Sequence, residues 1–429
     1  MSDDPQFGDP DDDPSRGSHP SNEPMNPFGP GGFDLSKIDL NEVVRMLQSD
    51  GPVNWDIAKQ IAASVALGEA GIPDAPVSAA DRTQLEELVR AAQTHVVAET
   101  GLTSTYSAPL RVLGRAEWAQ LHLDALAPVL EALAVTFRTA IVEESAGGED
   151  LPPEMGAMGA MGAFGMPLGG DALSGLMGMM APVLLGVQAG SMVGYLAQHA
   201  LGRYDLPLPT SDAPSLCFVV ANVDEFETAW SLDRNDLRFV VALHEVVRAA
   251  ERSVAWVQPK LVALATEYVS AYELDRDALE SQLGGFDPSD PSSMSGITEH
   301  PEALLGAMRS PAQEEILGRL QAVTSVLEGY AEVVVQGIGS RLAGSFGQVH
   351  EALARHRVES GEAGRFIEGL LGLQLDRARS EQGQAFCLGV IERAGLDGLN
   401  RLWEAETMLP TPAELDAPGL WLARIELPE

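Results

Sequence analysis

Residues 236–248 read Asp-Leu-Arg-Phe-Val-Val-Ala-Leu-His-Glu-Val-Val-Arg, one residue short of a hydrolytic metal site. Two histidines four apart on a helix share a face and can grip zinc. A glutamate directly after the first can take a proton from metal-bound water. His244 and Glu245 stand at the first two of these positions, but Arg248 stands where the second histidine belongs. A guanidinium stays protonated and offers only donors, so it cannot coordinate a cation. The segment combines the layout of a metal helix with the chemistry of an ion pair.

A His-Glu pair on a helix is common and usually means polar residues meeting solvent or a core partner. The surroundings give this one weight. Phe239, Val240, Val241, Ala242, Leu243, Val246 and Val247 are apolar almost all round, the mark of a buried helix. Asp236 reads as its N-cap, and Pro259 as the residue that ends or kinks it near Gln258. His244, Glu245 and Arg248 are then expected in an apolar interior, where an unpaired charge is expensive and partners must face it.

The elements around this helix come from a chain of 429 residues, 45% of them apolar, which is ample for a large core. Its formal net charge of −36 opposes binding to nucleic acid or to an anionic membrane. Asp3, Asp4, Asp9, Asp11, Asp12 and Asp13 crowd an N-terminal stretch rich in Pro and Gly, so residues 1–33 are predicted to be a disordered acidic tail. Cys217 and Cys387 lie far apart in apolar contexts and read as reduced core residues. No apolar run follows a basic start, so a cytoplasmic address is expected.

Helical spacing is predicted over 34–146, in segments at 35–48, 55–68 with Asn54 as cap, 79–100, and 115–144 with a break at Pro128. Residues 147–171, rich in Gly and Met, read as a linker. Residues 172–202 contain no Asp, Glu, Lys or Arg, which exceeds the ~20 residues a bilayer needs. Gly, Ser, Gln and Pro182 dilute their hydropathy, so a buried core helix is the expectation. Ser215–Asn222 reads as a strand, and a helix follows from Pro259 to about 283. Ser310-Pro-Ala-Gln313 has the form of a capping box with Pro at the first helical position, predicting a helix over 311–337. Further helices fit 347–358, 363–372, 374–394 and 396–407, with 409–415 extended. No internal repeat and no glycine-rich nucleotide motif is present.

Several stretches in order resemble a known family: Gly51-Pro-Val-Asn-Trp55, Gly202-Arg-Tyr-Asp-Leu-Pro-Leu-Pro209, Phe218-Val-Val-Ala-Asn-Val223, Ala242-Leu-His-Glu-Val246, Leu327-Glu-Gly-Tyr330 and Leu409-Pro-Thr-Pro-Ala-Glu414. Together they are similar to the bacterial zincin-like proteins classed as hydrolases and often called zinc-dependent metalloproteases. Some relatives are described as associated with deazaflavin coenzyme biosynthesis. The resemblance covers roughly residues 34–425, with 172–425 as the zincin-like region. It implies a mainly helical, zincin-like metallopeptidase fold with a small β element, zinc as cofactor and a peptide or protein as substrate or partner. Carried over by position, His244 matches the first zinc ligand, Glu245 the catalytic base and Glu328 the third ligand, with Tyr330 and Glu332 as site neighbours.

This chain departs from that pattern at Arg248. It departs again after Glu-Gly-Tyr, where the resemblance implies a nearby His and the sequence has Glu332-Val333. If the two helices meet, Arg248 is expected to pair with Glu328, with Glu245 or Glu332 close by. Such a pair can replace zinc structurally but cannot lower the pKa of a water. Two functions stay open. One is a zinc hydrolase using His199, His300, His350 or Glu332 as substitute ligand. The other is an inactive zincin-fold protein acting as a binding or scaffold protein.

Overall fold

The computed structural model describes residues 51–68, 71–102, 109–146, 170–205, 208–210, 213–273, 310–358, 371–372 and 377–427. The chain divides into two units, Met1–Phe33 and Asp34–Glu429, and every described residue belongs to the second. The predicted tail, the helix at 35–48, most of the linker, residues 274–283 and most of the helix expected at 363–372 lie outside the described residues, and the helix expected from Pro259 to about 283 ends already at Ser270.

Two apolar helices packed on each other, Trp55–Ala66 and Gly170–Ala197, set the frame. Helix α1 (Trp55–Ala66) is capped by Asn54, whose side chain accepts from the Ile57 amide at 3.1 Å. Helix α2 follows at Ala79–Thr100, strand β1 at Leu110–Leu113 and helix α3 at Arg115–Ala146. Helix α3 runs through Pro128 without the predicted break. Leu126, Val129, Leu130 and Leu133 bury around it, and that packing offsets the missing amide hydrogen. Helix α4, Gly170–Ala197, lies against α1. Its Gly186, Gly190 and Gly194 face the carbonyls of Asn54, Ala58 and Ala62 so closely that a Cβ at any of them would collide. The apolar run predicted as a core helix is therefore a helix-packing element. No helix among the described residues is long and apolar enough to cross a membrane.

Strand β2 is Leu216–Val219, shorter than expected, and pairs in parallel with β1 from Leu110–Leu216 to Leu113–Val219. Helix α5 (Val220–Trp230) starts at once, because Asn222 donates to the carbonyls of Ala197 and Ala200 at the end of α4. The motif helix α6 spans Arg234–Arg252 and is buried continuously from Leu237 to its last residue. Its cap is Asp233, which accepts from the amides of Asn235 and Asp236. The predicted cap Asp236 instead accepts from the Ser345 amide and hydroxyl at 2.6 and 2.7 Å. Pro259 does not end this helix. It lies in the first turn of the next one, α7 (Val257–Ser270), where a missing amide hydrogen costs nothing.

Helix α8, Pro311–Leu342, begins at the predicted capping box, with both the Ser310 and Gln313 side-chain bonds formed. Helix α9 spans Phe346–Val358 and α10 spans Arg377–Asn400, broken at Gly395 by a φ of +71°. The segment expected to be extended is partly helical. Thr411 and Glu414 form a capping box for α11 (Pro412–Leu415), and α12 follows at Pro418–Ile425. Residues from α1 through α12 share one hydrophobic core, and the structure is mostly helical with a two-stranded parallel sheet.

Candidate functional site

Helix α6 crosses α8 at the motif. There the Arg248 guanidinium forms an ion pair with Glu328, Nη2 donating to Oε2. Its Nη1 donates to the backbone carbonyl of Tyr204. Arg248 is 1% exposed and Glu328 7%, so the pair is removed from water. Burial works against the cation, but Glu328, then Asp205 and Glu251, hold the Arg248 pKa above the ordinary arginine value. The expected arginine–carboxylate pair is present, and its carboxylate is Glu328.

Glu245 sits one residue after His244 and is 2% exposed. Its Oε1 accepts from the Tyr204 amide at 2.9 Å, and its Oε2 from the Cys217 amide of β2 at 3.2 Å. Burial and the nearby Asp205 carboxylate raise its pKa to about 7, while the amide hydrogen bonds pull the other way. Tyr204 belongs to the turn Leu201–Asp205, which follows α4. Asp205 Oδ2 closes that turn by accepting from the amides of Leu201 and Gly202. A Cβ on Gly202 would run into the Glu245 carboxylate.

His244 is buried one helical turn before Arg248. Glu332 lies one turn beyond Glu328 on α8, with its Oε1 3.3 Å from His350 Nδ1 of α9. Tyr330 points elsewhere. Its hydroxyl donates to Asn400 Oδ1 at 2.8 Å, its ring meets Trp403 edge-on, and burial raises its pKa. Between Glu328 and Tyr330, Gly329 allows α8 to approach α10, since a Cβ there would strike the backbone of Gly383. Of the substitute ligands, the backbone carbonyl of His199 meets His356 Nε2, and His300 lies outside the described residues. A second buried pair, Arg252 with Glu251 at 3.8 Å, lies at the end of the motif helix. Burial drives the Glu251 carboxyl well above its ordinary range. The turn Leu201–Asp205, the Cys217 amide and this second pair were not singled out as site features by sequence reasoning. The Gly202-Arg-Tyr-Asp stretch was the available signal for the turn.

Zinc needs imidazole, thiolate or carboxylate groups free to converge on one point. Here Arg248 stands where the resemblance implies the second ligand, Glu328 Oε2 accepts from that cation while Glu328 Oε1 is buried with no hydrogen-bond partner among the described residues, and each Glu245 oxygen accepts from a backbone amide. Among the described residues, no three His, Cys, Asp or Glu side chains are arranged to hold a metal ion. The described residues at the motif do not fit the metal that the family implies.

The fold and the two motif helices define the class. Residues 53–422 match the family of zincin-like metallopeptidases, and the chain belongs to it. A solved structure from Chloroflexus aurantiacus, of a protein provisionally classed as a hydrolase with a novel fold, is similar at 26% identity and a TM-score of 0.55. The similarity covers 88% of this chain and 100% of that one. No curated protein matches.

Proposed function

We propose that this family member acts by binding a peptide or protein and not by zinc-dependent hydrolysis. The observation that carries this is the buried Arg248–Glu328 ion pair, formed by the two residues that the resemblance matches to metal-ligand positions. A guanidinium cannot ligate zinc, and without a Lewis acid no group here lowers the pKa of a water toward ~7. The burial of His244, Glu245, Arg248 and Glu328 also opposes access by a substrate. The net charge of −36 argues against nucleic acid and anionic membranes as partners, and the cytoplasm is the compartment we assign. Family membership favours the rival reading, a zinc hydrolase with another ligand in place of the second histidine.

Elemental analysis of protein purified without a metal-affinity tag separates the two. Well under one zinc per chain is expected, with no metal-dependent peptidase activity above that of Glu245→Gln. Stoichiometric zinc that His244→Ala abolishes would establish the hydrolase reading instead.

A further inference from the structure

We infer that Glu245 is the anchor of the Leu201–Asp205 turn and not an acid–base group, so this chain leaves the hydrolytic design at the base as well as at the second ligand. The inference stands on the contacts of Glu245 itself and not on the Arg248–Glu328 pair. A general base must present a lone pair to a water or substrate within hydrogen-bond reach. Each Glu245 oxygen instead accepts from a main-chain donor, Tyr204 N–H from the turn and Cys217 N–H from β2, and the residue is 2% exposed, which keeps bulk water from the remaining lone pairs. The carboxylate lies directly against position 202, where a Cβ would displace it.

The surrounding contacts treat the turn as a fixed object. Asp205 closes it from within, accepting from Gly202 N–H at 2.9 Å. Trp118 Nε1 of α3 donates to the Gly202 carbonyl at 2.8 Å. His122 Nε2 of the same helix lies 3.1 Å from the Arg203 carbonyl. Arg248 donates to the Tyr204 carbonyl, one turn of α6 beyond Glu245. Glu245 and Arg248 therefore grip opposite polarities of the Tyr204 residue, its N–H and its C=O. A buried carboxylate that satisfies two backbone donors in separate segments joins α6, β2 and the turn. Releasing it for proton transfer would strand those donors away from water. A glutamine cannot take over the role, because its NH2 group would meet one of the two amides donor to donor.

Hydrogen exchange on the full chain reads this directly. In the wild type the Tyr204 and Cys217 amides should be protected. In Glu245→Gln they should exchange faster by about tenfold or more, the factor expected when a charge-assisted bond is removed, while amides of α12 keep their wild-type rates. Gly202→Ala pushes the same carboxylate aside from the other direction and should reproduce the pattern. Unprotected Tyr204 and Cys217 amides in the wild type overturn the inference, whether or not either variant folds. So do wild-type rates at both amides in both variants. A separate arm uses Arg248→His, which supplies the second imidazole. Peptidase activity in that variant that disappears when Glu245→Gln is added, while the Tyr204 and Cys217 amides stay protected, shows Glu245 working as a base and defeats the anchor role. Zinc bound without hydrolysis supports it. Zinc content of the wild type tests the proposed function alone, so the two can fail separately.

Discussion

Replacing Arg248 with methionine keeps much of the side-chain volume and removes the charge. The Glu328 carboxylate, 7% exposed, is then left in the core without its cation, and the Tyr204 carbonyl loses its donor. Stranding one member of a buried pair costs about 3–5 kcal/mol. At about 2 °C per kcal/mol for a chain of this size, the melting temperature should fall by ~6–10 °C. Exchanging Glu328 for leucine as well removes the stranded charge, so what remains is mainly the unpaired Tyr204 carbonyl, worth about 1–3 kcal/mol. The double variant should therefore be more stable than Arg248→Met alone by about 2 kcal/mol, the gap between about 1–3 and about 3–5, and the double-mutant cycle should be clearly non-additive because Glu328→Leu alone strands Arg248. Urea unfolding of wild type, both single variants and the double variant gives this number. Additive single effects, or an Arg248→Met cost below ~1 kcal/mol, would refute the idea that the pair supports the crossing of α6 and α8.

Other parts of the fold make further demands. Gly190→Leu forces α4 off the Ala58 carbonyl and the Ile61 side chain. It should cost about 3 kcal/mol or more, the upper end for overpacking a close contact, measured by thermal melting. Gly383→Ala drives a methyl into the Ser325 carbonyl at the α8–α10 contact, and its loss in urea midpoint should exceed that of Gly337→Ala on the same α8 helix, where a Cβ meets nothing. Asp81 is held well below the ordinary carboxylate range by Ser78, then Arg234 and Arg238. A carboxylate depressed in the folded state adds stability above its unfolded pKa of about 3.9 and loses it as pH falls further. Stability of the wild type should therefore drop on acidification below about pH 4 more steeply than that of Asp81→Asn. The difference should be modest, because the Asp81 side chain is a quarter exposed and solvent screens it. Equal slopes for the two proteins would exclude the role.

The Arg248–Glu328 pair was legible because the family resemblance brings the two motif helices together, and the apolar run around Arg248 requires a partner for its charge. A buried cation and a buried anion in one core must find each other. The capping box at Ser310 was legible for a similar reason, since its two side chains satisfy donors of the same turn and involve nothing distant. What escaped depends on groups that every residue carries. The partners of Glu245 are the amides of Tyr204 and Cys217, 41 and 28 residues away, and a main-chain N–H leaves no mark in an amino-acid code. Gly202 was visible only as part of a motif, although its reason is steric. Strand β1 was missed because Leu-Arg-Val-Leu is too short to show a period and earns its geometry from pairing with β2. Pro259 was misread because proline marks a helix start as readily as an end, and only the neighbouring turn of chain decides which. The same asymmetry governs the motif itself. His-Glu-x-x-Arg specifies which side chains share a face of α6, whereas the use of that face is set by a turn and a strand whose contribution is backbone. A family resemblance carried through side-chain identity alone therefore assigns Glu245 to proton transfer, and the main chain that surrounds it assigns it to holding the fold.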